Sequence, residues 1–350
     1  MLASHDDMWA PGRLGVIDAT EHRIDLEPGT RPIRSMPYRQ GPALRAKAEV
    51  EIRKMLDAGV IEPATSEWAS PIVLVPKKDA SLRFCVDYRR LNAKTVGDAY
   101  PLPRIDDCLD SLGNATIFTT LDCNAGYWQV PVAPADRDKT TFTSYMGTYR
   151  YVRMPFGLRN APATFQRALD IILSGVRWQS CLIYLDDVIV FSTSVEEHLV
   201  HVNQVLTLLR EAGVTLKLSK CRFVQPRVDY LGHVITPGKL HVAAENTKAF
   251  ETAKFPRNLT QLRSFLGAAN VYRRFVKGYA KIARPLNSML RKDADPDWDD
   301  PSPEQLEAFE ALKGRLTSPP ILGLPMKDRP FMIDTDASSY QLGVVAPAAG

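Results

Sequence analysis

The segment Cys181-Leu-Ile-Tyr-Leu-Asp-Asp-Val-Ile-Val-Phe191 places two adjacent carboxylates at the centre of an otherwise apolar run. This pattern predicts a buried β-hairpin with Asp186 and Asp187 at its bend. An Asp-rich surface turn is the alternative, because aspartate is common in turns. Two neighbouring carboxylates beside a core repel each other and lose hydration unless a cation compensates them. A divalent metal is the simplest compensation, and Mg²⁺ prefers one or two carboxylates together with substrate phosphates.

A third acid, Asp122, lies near the end of a predicted strand over residues 117–123, and Gly126 then lets the backbone turn. If this strand lies beside the hairpin, the three carboxylates converge. Three carboxylates can hold two metal ions about 3.5–4 Å apart, an arrangement used for in-line phosphoryl or nucleotidyl transfer. The sequence therefore predicts a two-metal site.

The composition sets broad limits on the protein. A chain of 350 residues is long enough for two or three domains of roughly 150 residues. The apolar share of 45% and the charged share of 24% are ordinary for a globular protein and argue against long disorder. We expect no membrane span and no secretory signal, because the apolar runs are short and the N-terminus carries acids. The five scattered cysteines indicate a reducing, intracellular compartment.

Strands and helices alternate irregularly, which predicts an α+β fold rather than a doubly wound parallel sheet. Residues 1–39 look like an extended lead-in. The predicted helices cover residues 44–58, 161–173, 195–212 and 304–316, and the predicted strands cover 71–76, 82–86, 117–123, 182–191 in two halves, 228–235, 331–336 and 342–345.

Charge is segregated in the C-terminal third. Ten basic residues and no acid lie between Lys254 and Lys292, and eight acids with no base follow between Asp293 and Glu310. The basic stretch has a helical apolar face and suits a polyanion, because each neutralised phosphate releases counterions. A solvated helix face is the alternative. His198 and His201 are three residues apart on a predicted helix, where a solvated face is favoured over a metal site because no third ligand is nearby.

Several segments, in order along the chain, resemble the reverse transcriptase region of gypsy-type LTR-retrotransposon Pol polyproteins. The residues that carry this resemblance are Ser70–Asp79, Arg83–Asn92, Tyr100–Asp107, Met154–Gln166, the Tyr184-Leu-Asp-Asp187 signature, Tyr230–His233 and Phe265–Gly267. The resemblance implies a right-hand polymerase of fingers, palm and thumb with a ferredoxin-like palm. It implies fingers and palm at 41–238 after a lead-in at 1–40, a basic thumb or connection at 239–292, an acidic linker and helix at 293–325, and the start of an RNase H-like domain at 326–350.

The resemblance also implies an RNA-directed DNA polymerase that adds dNTPs to the primer on an RNA or DNA template. It makes Asp122, Asp186 and Asp187 ligands of two Mg²⁺ ions, with Mn²⁺ as an alternative, and makes Lys220 a proton donor to pyrophosphate. The implied dNTP-binding residues are Lys77, Arg83, Tyr127, Phe156, Gly157 and Gln166, and those for primer and template are Tyr184, Tyr230, Leu231, Gly232, His233, Arg273, Arg274 and Lys277. For Lys77 and Arg83 a solvated turn is the alternative, and for Tyr127 a core aromatic.

Thr335-Asp-Ala-Ser338 resembles the motif that carries the first RNase H aspartate, which would be Asp336. We expect no RNase H activity from this chain, because one ligand cannot hold two metals. We expect a piece of a larger Pol polyprotein, located in the cytoplasm, in a retroelement particle or in the nucleus. The alternative function is a catalytically idle, nucleic-acid-binding remnant of a decayed retroelement.

Overall fold

The computed structural model describes residues 2–10, 12–76, 82–242, 244–317, 322–325, 334–337 and 342–345. The chain divides into two compact units. Unit 1 comprises Met1–Arg104, Thr119–Phe191 and Val195–Phe223, and unit 2 comprises Ile105–Phe118, Ser192–Ser194 and Val224–Gly350.

Helices and strands alternate along the chain as the sequence predicts. The helices are α1 (Pro42–Asp57), α2 (Arg89–Lys94), α3 (Ile105–Asp110), α4 (Ala161–Ile172), α5 (Val195–Glu211), α6 (Ala244–Glu251), α7 (Leu259–Val271), α8 (Tyr279–Ser288) and α9 (Pro303–Thr317). The strands are β1 (Ile61–Pro63), β2 (Ser70–Pro76), β3 (Leu82–Val86), β4 (Ile117–Asp122), β5 (Phe142–Ser144), β6 (Gly147–Tyr151), β7 (Cys181–Tyr184), β8 (Asp187–Ser192), β9 (Arg222–Gln225), β10 (Val228–Tyr230), β11 (His233–Thr236), β12 (Lys239–Val242), β13 (Leu322–Gly323), β14 (Asp334–Ala337) and β15 (Leu342–Val345).

Two sheets form the frame of unit 1. The first has the order β1-β6-β5-β2-β3, and its β2–β3 pair is antiparallel from Ile72 opposite Val86 to Pro76 opposite Leu82. The second has the order β7-β8-β4-β9, so that β4 lies directly beside β8. The predicted convergence of the three carboxylates requires this pairing, because it brings Asp122 at the end of β4 towards the hairpin bend.

Helix α4 has the most one-sided apolar pattern around the hairpin sheet. Its buried face includes Phe165, Ala168 and Leu169, which are shielded from solvent together with the hairpin residues Ile183 and Val188. Burial of such side chains stabilises the fold by roughly 1.5–3 kcal/mol each for the larger ones. The packing of α4 thus supports the underside of the acidic bend.

The N-terminal lead-in is not a peripheral extended segment. Leu2–Trp9 forms a short 3-10 helical segment, and Met8, Ile17 and Ile24 are at most 2% exposed within the core of unit 1. The prediction of a simple extended lead-in was therefore wrong for its first residues. The apolar side chains of this segment stand singly among turn-forming residues and follow no periodic pattern, so their burial could not be predicted from the sequence.

Unit 2 has its own apolar core. Side chains of α7, α8 and α9 meet there, among them Leu262, Leu286 and Phe309. Strands β10, β11, β12 and β13 form one antiparallel sheet in that order. The single strand predicted over 228–235 is instead a tight hairpin, because Leu231 and Gly232 adopt φ angles of 49° and 78°. A two-residue turn with positive φ angles reverses the chain there.

Strands β14 and β15 pair in an antiparallel ladder, with Asp336 opposite Gly343. This agrees with the predicted hairpin over residues 334–336 and 342–345, and residues 331–333 of the predicted first strand lie outside the described residues. The predicted turn at 77–81, which includes Lys77, lies outside the described residues.

Candidate active site

The acidic bend is a two-residue turn between β7 and β8. Tyr184 pairs with Asp187 at the end of the ladder, so Leu185 and Asp186 form the turn itself. Leu185 has a φ of 53°, in the left-handed region that a leucine rarely adopts. Such a conformation costs about 1–2 kcal/mol for a residue with a side chain and persists only where its surroundings hold it.

Gln166 on α4 supplies that support from beneath. Its Oε1 accepts a hydrogen bond from the Leu185 amide at 2.7 Å, and its Nε2 donates to the Ile183 carbonyl at 3.2 Å. Nε2 also donates to Asp170 Oδ1 at 2.9 Å, and the Gln166 side chain is fully buried. The geometry therefore favours a role in holding the hairpin over the predicted direct contact with dNTP.

The negative charge of Asp122 reaches the two aspartates of the acidic bend. Partial desolvation and the negative charge of Asp122 raise the pKa of Asp186. Partial desolvation, Asp186 and Asp122 likewise raise the pKa of Asp187, although Asp187 is the most exposed of the three. Adjacent strands thus gather like charges at one point, as the sequence predicts.

Lys220 partly offsets this negative charge. Its Nζ lies 2.8 Å from Asp122 Oδ2, and it lowers the pKa of both hairpin aspartates. The backbone brings Lys220 there, because the Lys217 amide donates to the Asp122 carbonyl and Leu216 forms a β-bridge with Cys123. The predicted proton donor therefore contacts a predicted metal ligand directly.

The donor chemistry of this cluster suits a hard divalent cation, because Asp122 and the two hairpin aspartates supply carboxylate oxygens from neighbouring strands, and the charge of Asp122 raises the pKa of both hairpin aspartates. Within the described ranges, however, no three His, Cys, Asp or Glu side chains are arranged closely enough to hold an ion. The Asp122 carboxylate faces Lys220 instead. The carboxylates therefore converge on the same strand ends, but they are not arranged to coordinate an ion in the described part of the chain.

Tyr127 lies in the turn that follows β4. Its ring stacks on Phe156 with centroids 5.0 Å apart and packs against Phe165 at 5.4 Å. Partial burial and the charge of Asp186 raise its pKa to about 12, so the hydroxyl stays protonated at neutral pH. Tyr127 is half-buried against the core of unit 1 and lies near Asp186, a position compatible both with the predicted contact with the nucleotide and with a core aromatic.

Phe156 and Gly157 begin the loop before α4. Phe156 is 47% exposed, which leaves a face of its ring open beside Tyr127. Gly157 has a φ of 94° that disfavours any side chain. Asn92, which the sequence analysis did not single out, donates to the Gly157 carbonyl at 2.7 Å and accepts from the Arg159 amide at 2.9 Å. Its place at the end of the Arg83–Asn92 motif was the available signal.

Arg83 is exposed on β3, where it pairs with Val75. An exposed arginine on this strand is compatible with triphosphate binding and with a solvated position.

Gln129 is a fully buried polar residue that the sequence did not reveal as important, because its apolar neighbours Trp128 and Val130 gave little signal.

Unit 2 holds a separate group of predicted primer and template residues. His233 is 8% exposed, its Nδ1 lies 3.0 Å from the Leu231 carbonyl, and its ring stacks on Phe275 at 5.9 Å. Tyr230 is also buried. The Arg274 guanidinium is held by two aspartates of α3, Asp106 at 2.9 Å and Asp110 at 2.7 Å. These ion pairs compete with the predicted contact between Arg274 and nucleic acid.

His198, placed by the sequence analysis on a solvated helix face, is fully buried, and that prediction was wrong. Its Nε2 lies 2.7 Å from Thr119 Oγ1 on β4, and burial lowers its pKa to about 4. The neighbouring strand satisfies the imidazole, which a helical pattern cannot reveal.

Comparison with known proteins decides the family. Residues 75–235 match the family model described as reverse transcriptase (RNA-dependent DNA polymerase), and residues 302–347 match an RNase H-like domain found in reverse transcriptase. The retrovirus-related Pol polyprotein from transposon 297 of Drosophila melanogaster is 40% identical over 324 residues, 91% of this chain and 30% of that protein. The Pol polyprotein from the Drosophila transposon gypsy is 36% identical over 352 residues, 95% of this chain and 33% of that protein. The chain belongs to the reverse transcriptase family of LTR-retrotransposon Pol polyproteins.

Solved structures of this family share the fold. The foamy viral protease-reverse transcriptase in complex with dsDNA has a TM-score of 0.84 and 25% identity, covering 99% of this chain and 72% of that one. The same viral enzyme in complex with an RNA/DNA hybrid has a TM-score of 0.82, also at 25% identity, and the match covers 99% of this chain and 47% of that one. The predicted α+β, right-hand polymerase fold is thereby confirmed.

The chain spans about a third of the length of the curated relatives it matches. In the part of the chain that the structure describes, no helix is both long and apolar enough to cross a membrane.

Proposed function

We propose that this chain is an RNA-directed DNA polymerase that extends a primer with dNTPs on an RNA or DNA template. One observation carries the proposal: β4 lies beside β8, so that Asp122 comes near enough to the acidic bend to raise the pKa of Asp186 and Asp187, while Lys220 contacts Asp122 and Tyr127 lies near Asp186. In this proposal the carboxylates hold the cations that an incoming triphosphate needs, Lys220 is the proton donor and the Tyr127 ring contacts the sugar.

Asp122, Asp186 and Asp187 would hold two Mg²⁺ ions, or Mn²⁺ in their place. Bound there, the ions would lower the pKa of the primer 3′-hydroxyl and stabilise the pyrophosphate leaving group. The Lys220 ammonium contacts Oδ2 of Asp122 at 2.8 Å. From this position Lys220 would present its proton to the departing pyrophosphate.

The remaining groups bind and orient the nucleotide. Arg83, together with Lys77, places positive charge for the triphosphate. The Tyr127 ring, held against Phe156, would clash with a ribose 2′-hydroxyl and so select deoxyribose. Gly157, whose carbonyl Asn92 fixes, permits close approach of the backbone to the nucleotide.

The primer–template duplex is the proposed macromolecular partner, and dsDNA and an RNA/DNA hybrid are what the foamy viral enzyme binds in its solved complexes. In unit 2, the β10–β11 turn at Leu231 and Gly232, with His233, and the basic residues Arg273 and Lys277 are the groups we assign to it. Tyr184 beside the acidic bend is the corresponding group in unit 1. The rest of a Pol polyprotein is a further proposed partner.

The proposal is tested by primer extension on poly(rA)/oligo(dT) with Mg²⁺. Wild-type protein should extend the primer, and Asp186→Asn should abolish extension while circular dichroism and nucleic-acid affinity stay unchanged. Equal background signal from both proteins would refute the enzyme assignment.

The competing function, a catalytically idle nucleic-acid-binding protein, is favoured by the engagement of Asp122 with Lys220. That protein would bind the duplex and fail to extend it with either Mg²⁺ or Mn²⁺.

For an active protein, Tyr127→Ala should admit ribonucleotides. Unchanged sugar discrimination in that variant would remove Tyr127 from the role of steric gate.

A further inference from the structure

A fully buried amide lies behind the turn that carries Tyr127. The Gln129 side chain has no exposed surface, and each of its polar atoms has a partner. Its Nε2 donates to the carbonyls of Asn124 and Thr215, both at 2.8 Å, and its Oε1 accepts from the Thr215 amide at 2.8 Å. One side chain thus joins two separate backbone segments.

The first of these segments is the turn from Asn124 to Gln129. Ala125 has a φ of 50°, and the following residues form a short 3-10 turn that contains Tyr127. The side-chain amide of Gln129 donates to the Asn124 carbonyl and so links the last residue of this turn to its first. The position of the Tyr127 backbone therefore depends on a bond made by a side chain two residues away.

The second segment leads to Lys220. The Asn124 amide donates to the Thr215 carbonyl, and the Lys217 amide donates to the Asp122 carbonyl. Together with Gln129, these bonds tie the end of β4 to residues 215–217, three residues before Lys220. Hydrogen bonds thus join the Tyr127 turn to the segment that leads to the proposed proton donor.

N-terminal residues cover this junction and keep water from it. The Gly15 amide donates to Thr215 Oγ1 at 3.0 Å, and the Ile17 amide donates to the Gln129 carbonyl at 2.8 Å. A Cβ at Gly15 would lie 2.4 Å from both Gln129 Oε1 and the Gly213 carbonyl, so only glycine fits. Buried amide bonds shielded in this way are costly to break, because the freed groups find no water.

We propose that Gln129 is a positioning residue for sugar selection, because its amide holds the Tyr127 turn in register with the segment leading to Lys220. The proposal rests on the proposed polymerase function for its consequence, but its structural half is independent of activity. Without Gln129, the Tyr127 ring would sample positions that leave room for a 2′-hydroxyl. Small displacements of a positioning group have large kinetic effects.

The test uses single-nucleotide incorporation by the full chain on a defined RNA template, comparing kcat/KM for dATP with that for ATP. Gln129→Met keeps the length of the side chain and removes all three hydrogen bonds. We expect the dATP-to-ATP preference to fall about tenfold. In a Tyr127→Ala background the same substitution should cause no further fall, because the group it positions is absent.

Thr140→Val is the matched control in unit 1. Thr140 is fully buried and its Oγ1 makes three contacts, to the carbonyls of Arg137 at 2.6 Å and Tyr151 at 3.4 Å and from the Tyr151 amide at 2.9 Å. This control should reduce the amount of active protein and leave the dATP-to-ATP ratio unchanged. A ratio that falls equally in the control, or stays at the wild-type value in Gln129→Met, would overturn the proposal.

Amide hydrogen exchange separates this inference from the proposed function. The Trp128 and Val130 amides donate within the turn, to the carbonyls of Ala125 and Tyr127. In Gln129→Met, and in Gln129→Asn if the first variant does not fold, both amides should exchange faster than in wild type, even if the wild type extends no primer. Unchanged exchange in the variant would refute the positioning role. Faster exchange in the variant, together with a wild type that extends no primer, would refute only the polymerase assignment.

Discussion

Replacing Gln166 with Met should loosen the acidic bend without emptying the core. Met has nearly the same length as Gln and keeps the packing of α4, but it cannot accept from the Leu185 amide or donate to the Ile183 carbonyl. The Leu185 amide would then be left without that acceptor in a conformation that leucine disfavours. The perturbation is therefore confined to the hydrogen bonds that hold the bend.

The magnitude follows from these bonds. A buried group left without its partner costs about 1–3 kcal/mol, and the three bonds of Gln166 are not additive because Asp170 also binds Tyr100 and Arg177. We expect a loss of about 2–3 kcal/mol in the free energy of local opening at the bend. Since 1.4 kcal/mol corresponds to a factor of ten, exchange of the Leu185 amide should accelerate about 30-fold to 150-fold.

Hydrogen exchange measured on peptides covering residues 181–192 provides the assay, with Gln179→Met as the control. Gln179 is exposed just before β7, and its replacement should change local stability by no more than about 0.5 kcal/mol. If Leu185 in Gln166→Met exchanged within about twofold of the control, the bend would not depend on Gln166. Helix α4 would then not support the carboxylates through Gln166.

Three further predictions concern charge and backbone fit. The pKa of Asp187 is raised in the folded state, so ionisation of this carboxyl destabilises the fold as the pH rises above the ordinary pKa of 3.8. At pH 7 the metal-free Asp187→Asn variant should therefore melt at a higher temperature than wild type. In thermal scans this difference should vanish below about pH 4. Arg274→Ala should lower the stability of unit 2 in urea by about 1 kcal/mol through loss of its two part-exposed ion pairs, whereas Arg273→Ala should leave stability unchanged and reduce the salt dependence of duplex binding. Gly15→Ala should lower the free energy of unfolding by at least about 2 kcal/mol, because the new methyl group would lie 2.4 Å from the Gly213 carbonyl. Gly175→Ala should not, because open space surrounds Gly175. Equal denaturation midpoints for the two variants would contradict this prediction.

Much of the site was predictable because its signals are local. The apolar flanks of Asp186 and Asp187 predicted a buried hairpin, and the structure has β7 and β8 there. The predicted helices at 161–173 and 195–212 agree with α4 and α5 to within a residue or two at each end. Alternation and helical periodicity report which face of an element is buried, and this information lies within a few consecutive residues.

Partners distant in the sequence could not be predicted in this way. Gln166 and Gln129 are polar residues that the fold buries completely, since each meets backbone groups that only the folded chain brings near. His198 was expected to face solvent and instead meets Thr119, 79 residues away. The identity of the residue across a buried surface leaves no periodic trace in either segment.

The sequence alone was enough to predict the main helices and strands around the acidic bend, the segregation of charge and the family that these motifs resemble. The folded structure was needed to show that β4 lies beside β8, that Lys220 contacts Asp122, and that Arg274 is held by aspartates of α3. The difference arises from the distance along the chain over which each signal acts. Backbone conformation and burial pattern follow from neighbouring residues, whereas hydrogen bonds and ion pairs between distant segments depend on where folding brings the whole chain together.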